Sequence, residues 1–207
     1  MSVYSELAER AESMSTQQLL EHLILERFPG GTVVTASLRA RSVAVLKMVA
    51  DIDNTTPVVF CHTRDLFDES KAYRDTLISH LGLTHVTQTR GERMSVDADD
   101  TDHHECLWSE DPTWGGRVHE TIHLNKVLEP YDCWISAVYH KDRHPSVRER
   151  VDLDGRLIKV DPQAAWSQNE ITRFLKETGV PLHPRARKTT RPDMPEPPAE
   201  AMPSWCF

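Results

Sequence analysis

The chain has 207 residues, 39% of them hydrophobic, which is enough for one domain with a full core. Its 32 acidic residues outnumber the 24 basic ones for a formal net charge of -8, which argues against a protein that coats nucleic acid through a general phosphate footprint. No apolar run has the length of a membrane span, and the segment from Met1 to Arg10 is polar and mixed in charge, unlike a signal peptide, so the cytoplasm is the expected compartment.

Ser15 followed by Gln18 reads as a capping box, and Leu19, Leu20, Leu23, Ile24 and Phe28 form a helical apolar stripe that Pro29-Gly30-Gly31 ends. Thr32 to Ala36 then reads as a short buried strand, followed by a helix with Val43, Ala44, Leu46, Met48 and Val49 on its apolar positions. The pattern repeats: a strand at Pro57 to Cys61, then a helix from about Asp68 carrying Ala72, Leu77, Ile78 and Leu81 and stopping at Gly82. Two consecutive units of this kind predict an α/β fold, doubly wound on a mainly parallel sheet.

Asp97 to Asp111 is acidic and poor in apolar residues, which marks an exposed insertion. Cys133 to Val138 reads as another buried strand and Arg156 to Val160 as a short one. Ser167 with Glu170 forms a second capping box, opening a helix through Ile171, Phe174 and Leu175 that ends at Gly179. The proline-rich stretch from Arg185 to Phe207 reads as a tail without a core of its own, so the expected organisation is one domain over residues 1–184 and a tail over 185–207. The four cysteines, Cys61, Cys106, Cys133 and Cys206, make no C-x-x-C pair and are expected to be free thiols.

In a doubly wound sheet, ligands bind beyond the carboxyl ends of the strands, where backbone amides and helix N-termini favour anions. Three loops qualify. Ser37, Leu38 and Arg39, with Arg41 close behind, offer small hydroxylated residues and positive charge at a helix start; the bland alternative is a solvated loop with an N-cap serine. The second runs from Cys61 through Thr63 and Arg64 to Ser70, where Asp68 could simply cap a helix. The third crowds His140, Lys141, Arg143, His144 and Arg148 after a buried strand, as an anion clamp requires; the alternative is a charged hairpin tip.

Together these loops resemble the phosphoadenylyl-sulfate reductase family, over about residues 28–191 by eye. Ser37-Leu38 with Val43 and Leu46 is similar to that family's modified phosphate loop, S-F-G followed by an apolar helix. Thr63, Leu66, Phe67, Glu69 and Ser70 follow its D-T-G-x-L-F-x-E-T, and Asn125-Lys126 with Glu129-Pro130 its N-K-V-E-P. Trp134 to Val138 resembles the strand leading into its arginine loop. Lys159-Val160, Pro162, Trp166, Ile171, Leu175, Pro181 and His183-Pro184 follow its K-V-x-P-I-x-x-W, helix and H-P-L ending. The resemblance implies an adenine nucleotide alpha hydrolase-like fold. It also implies an adenosine 3'-phosphate 5'-phosphosulfate type ligand held by Ser37, Leu38, Arg39, Thr63, Arg64, His140, Lys141, Arg143 and Arg148.

The same comparison marks departures. Arg39 and Arg64 stand at glycine positions, His62 replaces an aspartate, and the arginine loop reads Ala137 to Arg143 without its paired arginines. The cysteine pairs that hold an iron-sulfur cluster in the adenylyl-sulfate branch are absent, so no cluster and no other cofactor is expected. The family's nucleophile lies in a C-terminal E-C-G-L-H; here the ending is Ser204-Trp205-Cys206-Phe207, so the resemblance implies Cys206 as the catalytic thiol and thioredoxin as the reductant. The chain from Pro184 to Cys206 could span on the order of 70 Å fully extended, so reach does not limit it. A homodimer is a family expectation, and no membrane partner is expected. Two alternatives are a repurposed, non-catalytic adenine-nucleotide-binding protein and a nucleotide-dependent sulfur-transfer enzyme, the latter lacking its S-G-G-x-D-S loop.

One further cluster has ligand chemistry. His103, His104, Glu105, Cys106, His119 and His123 are close in sequence, and His119 and His123 at four-residue spacing could face one way on a helix and hold a divalent ion. The alternative is an acidic surface segment enriched in histidine, since no complete ligand spacing is present.

Overall fold

The computed structural model describes residues 3–62, 67–90, 124–136 and 150–184. Helix α1 spans Val3–Ser13 and α2 spans Thr16–Glu21, opened by the Ser15 capping box, in which the hydroxyl accepts from the Gln18 amide and the Gln18 side chain from the Ser15 amide. The expected single helix through Phe28 instead widens into a π-helical turn over His22–Arg27, with the Phe28 amide donating to the Leu23 carbonyl at 3.0 Å. The wider turn accompanies the burial of Leu19, Leu20, Leu23 and Ile24 together, while Leu25 is left exposed.

Strand β1 (Thr32–Ala36), helix α3 (Ala40–Ile52), strand β2 (Val58–His62), helix α4 (Asp68–Leu81) and strand β3 (Val86–Arg90) complete the two β-α units anticipated from the periodicity. A short helix α5 at residues 124–128 precedes β4 (Cys133–Ser136). Strands β5 (Val151–Asp154) and β6 (Leu157–Val160) flank a turn at Gly155, and α6 (Gln168–Thr178) opens on the Ser167–Glu170 capping box and closes on Gly179, φ 67°. Strands β3 and β5 were not expected: β3 has a single apolar residue, and the alternation of Val151-Asp152-Leu153-Asp154 runs for only four residues. Both are sheet-edge strands, whose polar residues have a solvated side to face.

The sheet order is β3-β2-β1-β4-β6-β5, parallel throughout except for the antiparallel β5 edge. Alternate strand residues part to opposite faces, as the two-residue period of a strand requires. Val34, Val58, Phe60, Ile135, Ile158 and Val160 pack into the larger core with α1, α2, α3, α4 and α6. Val33, Val59, Trp134 and Leu157 pack on the other face with Leu124 and Leu128 of α5. The predicted α/β fold with a mainly parallel sheet is therefore the observed one.

The N-terminal helices are tied to the far side of the sheet by polar contacts. Arg150 Nη1 donates to the carbonyls of Ala11 (2.7 Å) and Met14 (2.6 Å), and its Nη2 reaches the Pro162 carbonyl at 3.4 Å. Thr16 Oγ1 donates to the same Pro162 carbonyl at 3.0 Å and accepts from Trp166 Nε1 at 2.9 Å. Burial pulls the Arg150 pKa below its ordinary value, opposed by the charges of Glu12 and Asp161.

Candidate functional site

The chain leaves β1 toward β2 on one side and returns to β4 on the other, so the order reverses between β1 and β4, with Thr35 beside Ser136 at their carboxyl ends. A reversal of this kind opens a crevice between the two following loops. Its floor is rigid: Trp134 is fully buried, its Nε1 donates to Thr35 Oγ1 at 2.7 Å, and Lys159 Nζ lies 4.7 Å from the ring centroid.

The first loop leaves β1 at Ser37. Its amide donates to Ser42 Oγ at 2.8 Å, and the Arg39 amide reaches Ser37 Oγ at 3.4 Å, folding the loop back on the first turn of α3. Arg39 is the N-cap, and its side chain makes no capping hydrogen bond, so the first-turn amides keep their donor character. Arg39 adopts φ -87° and ψ 152°, ordinary extended backbone, so an arginine at this glycine position of the family motif costs no backbone strain. What changes is bulk and charge: Ser37 and Leu38 are half-buried and Arg39 is exposed.

Arg41 takes a different role from the one its position implies. Its Nη2 lies 2.9 Å from both carboxylate oxygens of Asp161 and 2.7 Å from the Gln163 carbonyl, with the side chain only 12% exposed. This arginine is consumed in joining α3 to the carboxyl end of β6, which withdraws it from the anion-binding groups expected of the first loop.

The second loop keeps less of its sequence reading within view. Thr63 and Arg64 lie outside the described residues, and His62 is placed only as the last residue of β2. Phe67, not Asp68, is the N-cap of α4; Asp68 is the first helical residue and pairs with Lys71 at 3.0 Å, within one exposed turn. Behind them Ser70 Oγ and His183 Nε2 are 3.0 Å apart, and Tyr73 donates its hydroxyl to the Pro181 carbonyl at 2.9 Å with its ring edge-on to His183, centroids 4.9 Å apart. Burial pushes the Tyr73 hydroxyl up to about 12. This link seats the H-P segment of the family motif on α4, a pairing that residue order alone could not show.

The third loop lies outside the described residues with His140, Lys141, Arg143 and Arg148, as do Cys206 and the histidine-rich group of His103, His104, Glu105, Cys106, His119 and His123. Among the described residues no group of three or more His, Cys, Asp or Glu side chains could hold a metal ion. Of the cysteines, Cys133 is fully buried, and that burial pushes its thiol up to about 12, while Cys61 is half-buried at the end of β2. A thiol at that value is protonated at neutral pH and is not a nucleophile.

A mainly parallel α/β sheet with its reversal between β1 and β4, and a serine loop at the first crevice wall, defines a doubly wound α/β protein with its crevice at the switch point. Within that class, residues 31–189 match the model of the phosphoadenosine phosphosulfate reductase domain, and the chain belongs to that family. It is 26% identical over 184 residues to an adenosine 5'-phosphosulfate reductase of Chelativorans sp. (strain BNC1), covering 86% of this chain and 73% of that protein. It is also 26% identical over 175 residues to a phosphoadenosine 5'-phosphosulfate reductase of Alkalilimnicola ehrlichii, covering 77% of this chain and 66% of that one. Among solved structures, phosphoadenylyl-sulfate reductase from Candida auris, in a phosphate complex, superimposes with a TM-score of 0.65 at 12% identity, over 92% of this chain and 94% of that chain. A U34-tRNA thiolase from Methanococcus maripaludis, solved with its iron-sulfur cluster, shares the fold at a TM-score of 0.50 and 11% identity, over 86% of this chain and 66% of that one.

No helix among the described residues is long and apolar enough to cross a membrane. Sequence reasoning passed over Gln163, which sits at the isoleucine position of the K-V-x-P-I-x-x-W motif, fully buried beside Arg41. The signal was present in the sequence: a polar residue at an apolar position of the motif.

Proposed function

We propose that the chain is a sulfonucleotide reductase that converts phosphoadenylyl sulfate to sulfite through Cys206. The nucleotide lies in the β1/β4 crevice, its phosphates on the first-turn amides of α3 with Ser37, Leu38 and Arg39, and Thr63, Arg64, His140, Lys141, Arg143 and Arg148 complete the wall. The observation that carries this reading is the crevice itself, with uncapped helical amides behind a hydroxyl loop. Family membership supports it; Cys206 lies beyond the matched residues 31–189.

In the reaction the Cys206 thiolate attacks the sulfur of the phosphosulfate. An S–S bond forms, the S–O bond to the phosphate breaks, and adenosine 3',5'-bisphosphate leaves with that oxygen's electron pair. A dithiol protein of the thioredoxin class then attacks the Cys206 sulfur. Sulfite departs with the S–S bond electrons, Cys206 returns as a thiol, and the dithiol becomes a disulfide. The buried, protonated thiol of Cys133 is unsuited to the nucleophile's role. Residues 1–184 form the catalytic domain and 185–207 the tail that carries the thiol.

Sulfite release with reduced thioredoxin tests the proposal on wild type and Cys206→Ser. Loss of sulfite in the variant with nucleotide binding intact is the expected result; undiminished release would remove Cys206 from the mechanism. A second reading, a repurposed nucleotide-binding protein, is favoured by one feature: Arg41 is tied to Asp161, leaving less cationic charge on the first loop. Adenine-nucleotide binding by calorimetry, with no sulfite formed by wild type, would select it.

A further inference from the structure

The two faces of the sheet end differently at its carboxyl rim. On the face of the larger core the carboxyl-terminal positions of β1, β4 and β6 are apolar and buried: Ala36, Ile135 and Val160. On the α5 face the two strands that flank the reversal carry hydroxyls there instead, Thr35 and Ser136, which are register partners and 3% and 2% exposed. One pleat below them on this face lie Val33, Trp134 and Lys159, side by side across β1, β4 and β6. A lysine at this place is unexpected. Inner strands of a parallel sheet are covered on both faces and run as apolar stretches, yet Lys159 stands between buried Ile158 and Val160 on a strand with neighbours on both sides.

Trp134 determines where the charge of Lys159 goes. The indole runs from β4 toward β1, because its Nε1 donates to Thr35 Oγ1 at 2.7 Å, and Lys159 Nζ lies over the same ring, 4.7 Å from the centroid. The ammonium is thereby drawn from β6 across β4 toward the reversal, a displacement on the order of one strand spacing, about 4.8 Å. The first-turn amides of α3 approach the crevice from the other direction, since α3 packs on the face of the larger core. A ligand seated between β1 and β4 therefore has partial positive charge on one face of the sheet and a full positive charge on the other.

We propose that Lys159 is a further anion-binding residue of the crevice, taking an oxyanion group of the ligand on the α5 face while the α3 amides hold another. This rests on the nucleotide site proposed above. The chemistry is that of a phosphate or sulfo group, because a neutral ribose or base offers an ammonium no charge to neutralise. Trp134 and Thr35 are positioning residues, which act on the ligand through Lys159.

The test is calorimetric titration of Lys159→Met, which keeps an unbranched stem on the indole and removes the charge. Adenosine, adenosine 5'-phosphate, adenosine 3',5'-bisphosphate and adenosine 5'-phosphosulfate serve as ligands, in a Cys206→Ser background that stops turnover. Affinity for an anionic ligand should fall on the order of tenfold while adenosine binds both proteins equally, and Lys159→Arg should recover most of the loss. A loss confined to the bisphosphate assigns the 3'-phosphate, one confined to the phosphosulfate assigns the sulfo group, and one shared by all three assigns the 5'-phosphate. If Lys159 is only a sheet contact between Trp134 and its register partner Asp152, the melting temperature falls, every affinity keeps its wild-type value, and the proposal is overturned. An equal loss for adenosine marks a disturbed fold and overturns it too. If wild type binds none of the four, the nucleotide reading fails, and Lys159 is judged separately by amine labelling of wild type read by mass spectrometry. Inorganic sulfate should slow labelling at Lys159, and an unchanged rate refutes the site; the same measurement decides if Lys159→Met does not fold.

Discussion

Asp161→Ala addresses the joint between the first loop and the far strand. In wild type the carboxylate lies 2.9 Å from Arg41 Nη2 through both oxygens and accepts the Gln163 amide at 3.0 Å. The Arg41 side chain is 12% exposed and that of Asp161 is 30% exposed, so the pair is neither a surface contact nor fully dry. Breaking a buried pair costs about 3–5 kcal/mol and an exposed pair about 0–1. An intermediate of about 2 kcal/mol, plus roughly 0.5–1 for the stranded backbone amide, gives a loss near 3 kcal/mol. Urea unfolding should show a lower midpoint with an unchanged slope, and the melting temperature should fall by about 6–12 °C. A loss below about 0.5 kcal/mol would mean that the arginine is free and would return it to the list of anion-binding groups.

Three other outcomes follow from the described contacts. Spectrophotometric titration of the folded protein should show a tyrosine ionising near 12 that is missing from Tyr73→Phe. Because the folded value lies above the ordinary 10.0, this group's contribution is complete below pH 10 and is lost as pH rises toward 12; stability of Tyr73→Phe should fall less steeply across that window. Cys133 should resist a disulfide thiol reagent at pH 8 in the native state and react on unfolding; rapid native labelling, located by mass spectrometry, would contradict its burial. Ser15→Ala should cost about 1 kcal/mol in chemical denaturation, and so should Ser167→Ala, since each removes a two-way capping box; no change would mean that the helix ends are held by their tertiary contacts alone.

The elements that the sequence made legible are those whose signals are local. The capping hydroxyls of Ser15 and Ser167, the left-handed Gly82 and Gly179, and the apolar runs of β1, β2 and β4 each specify their own conformation without help from distant residues. The strands at Val86 and Val151 were illegible because an edge strand needs only a neighbour's backbone, and Val86-Thr87-Gln88-Thr89-Arg90 advertises no buried face. The π-helical turn was hidden for a similar reason, since a stripe of leucines is compatible with either winding. At the site, Ser37 and its loop were readable from residue type, but Arg41 was not. Residue type gives a charge, while the partner that neutralises it stands 120 positions away. Gln163 is the converse case, a mismatch visible in the motif whose meaning depends on burial.

The contacts of the Pro162 carbonyl bear on where this protein can be cut. Arg150 and Thr16 converge on that single oxygen, and Arg150 also closes the end of the first helix. Residues that precede the family's matched region at 31 therefore buttress the turn that presents Asp161 and Gln163. An expression fragment trimmed to the family boundary would retain every strand of the sheet while removing the brace behind one wall of its crevice, so the smallest unit recognisable by kinship is shorter than the smallest unit that would hold its shape.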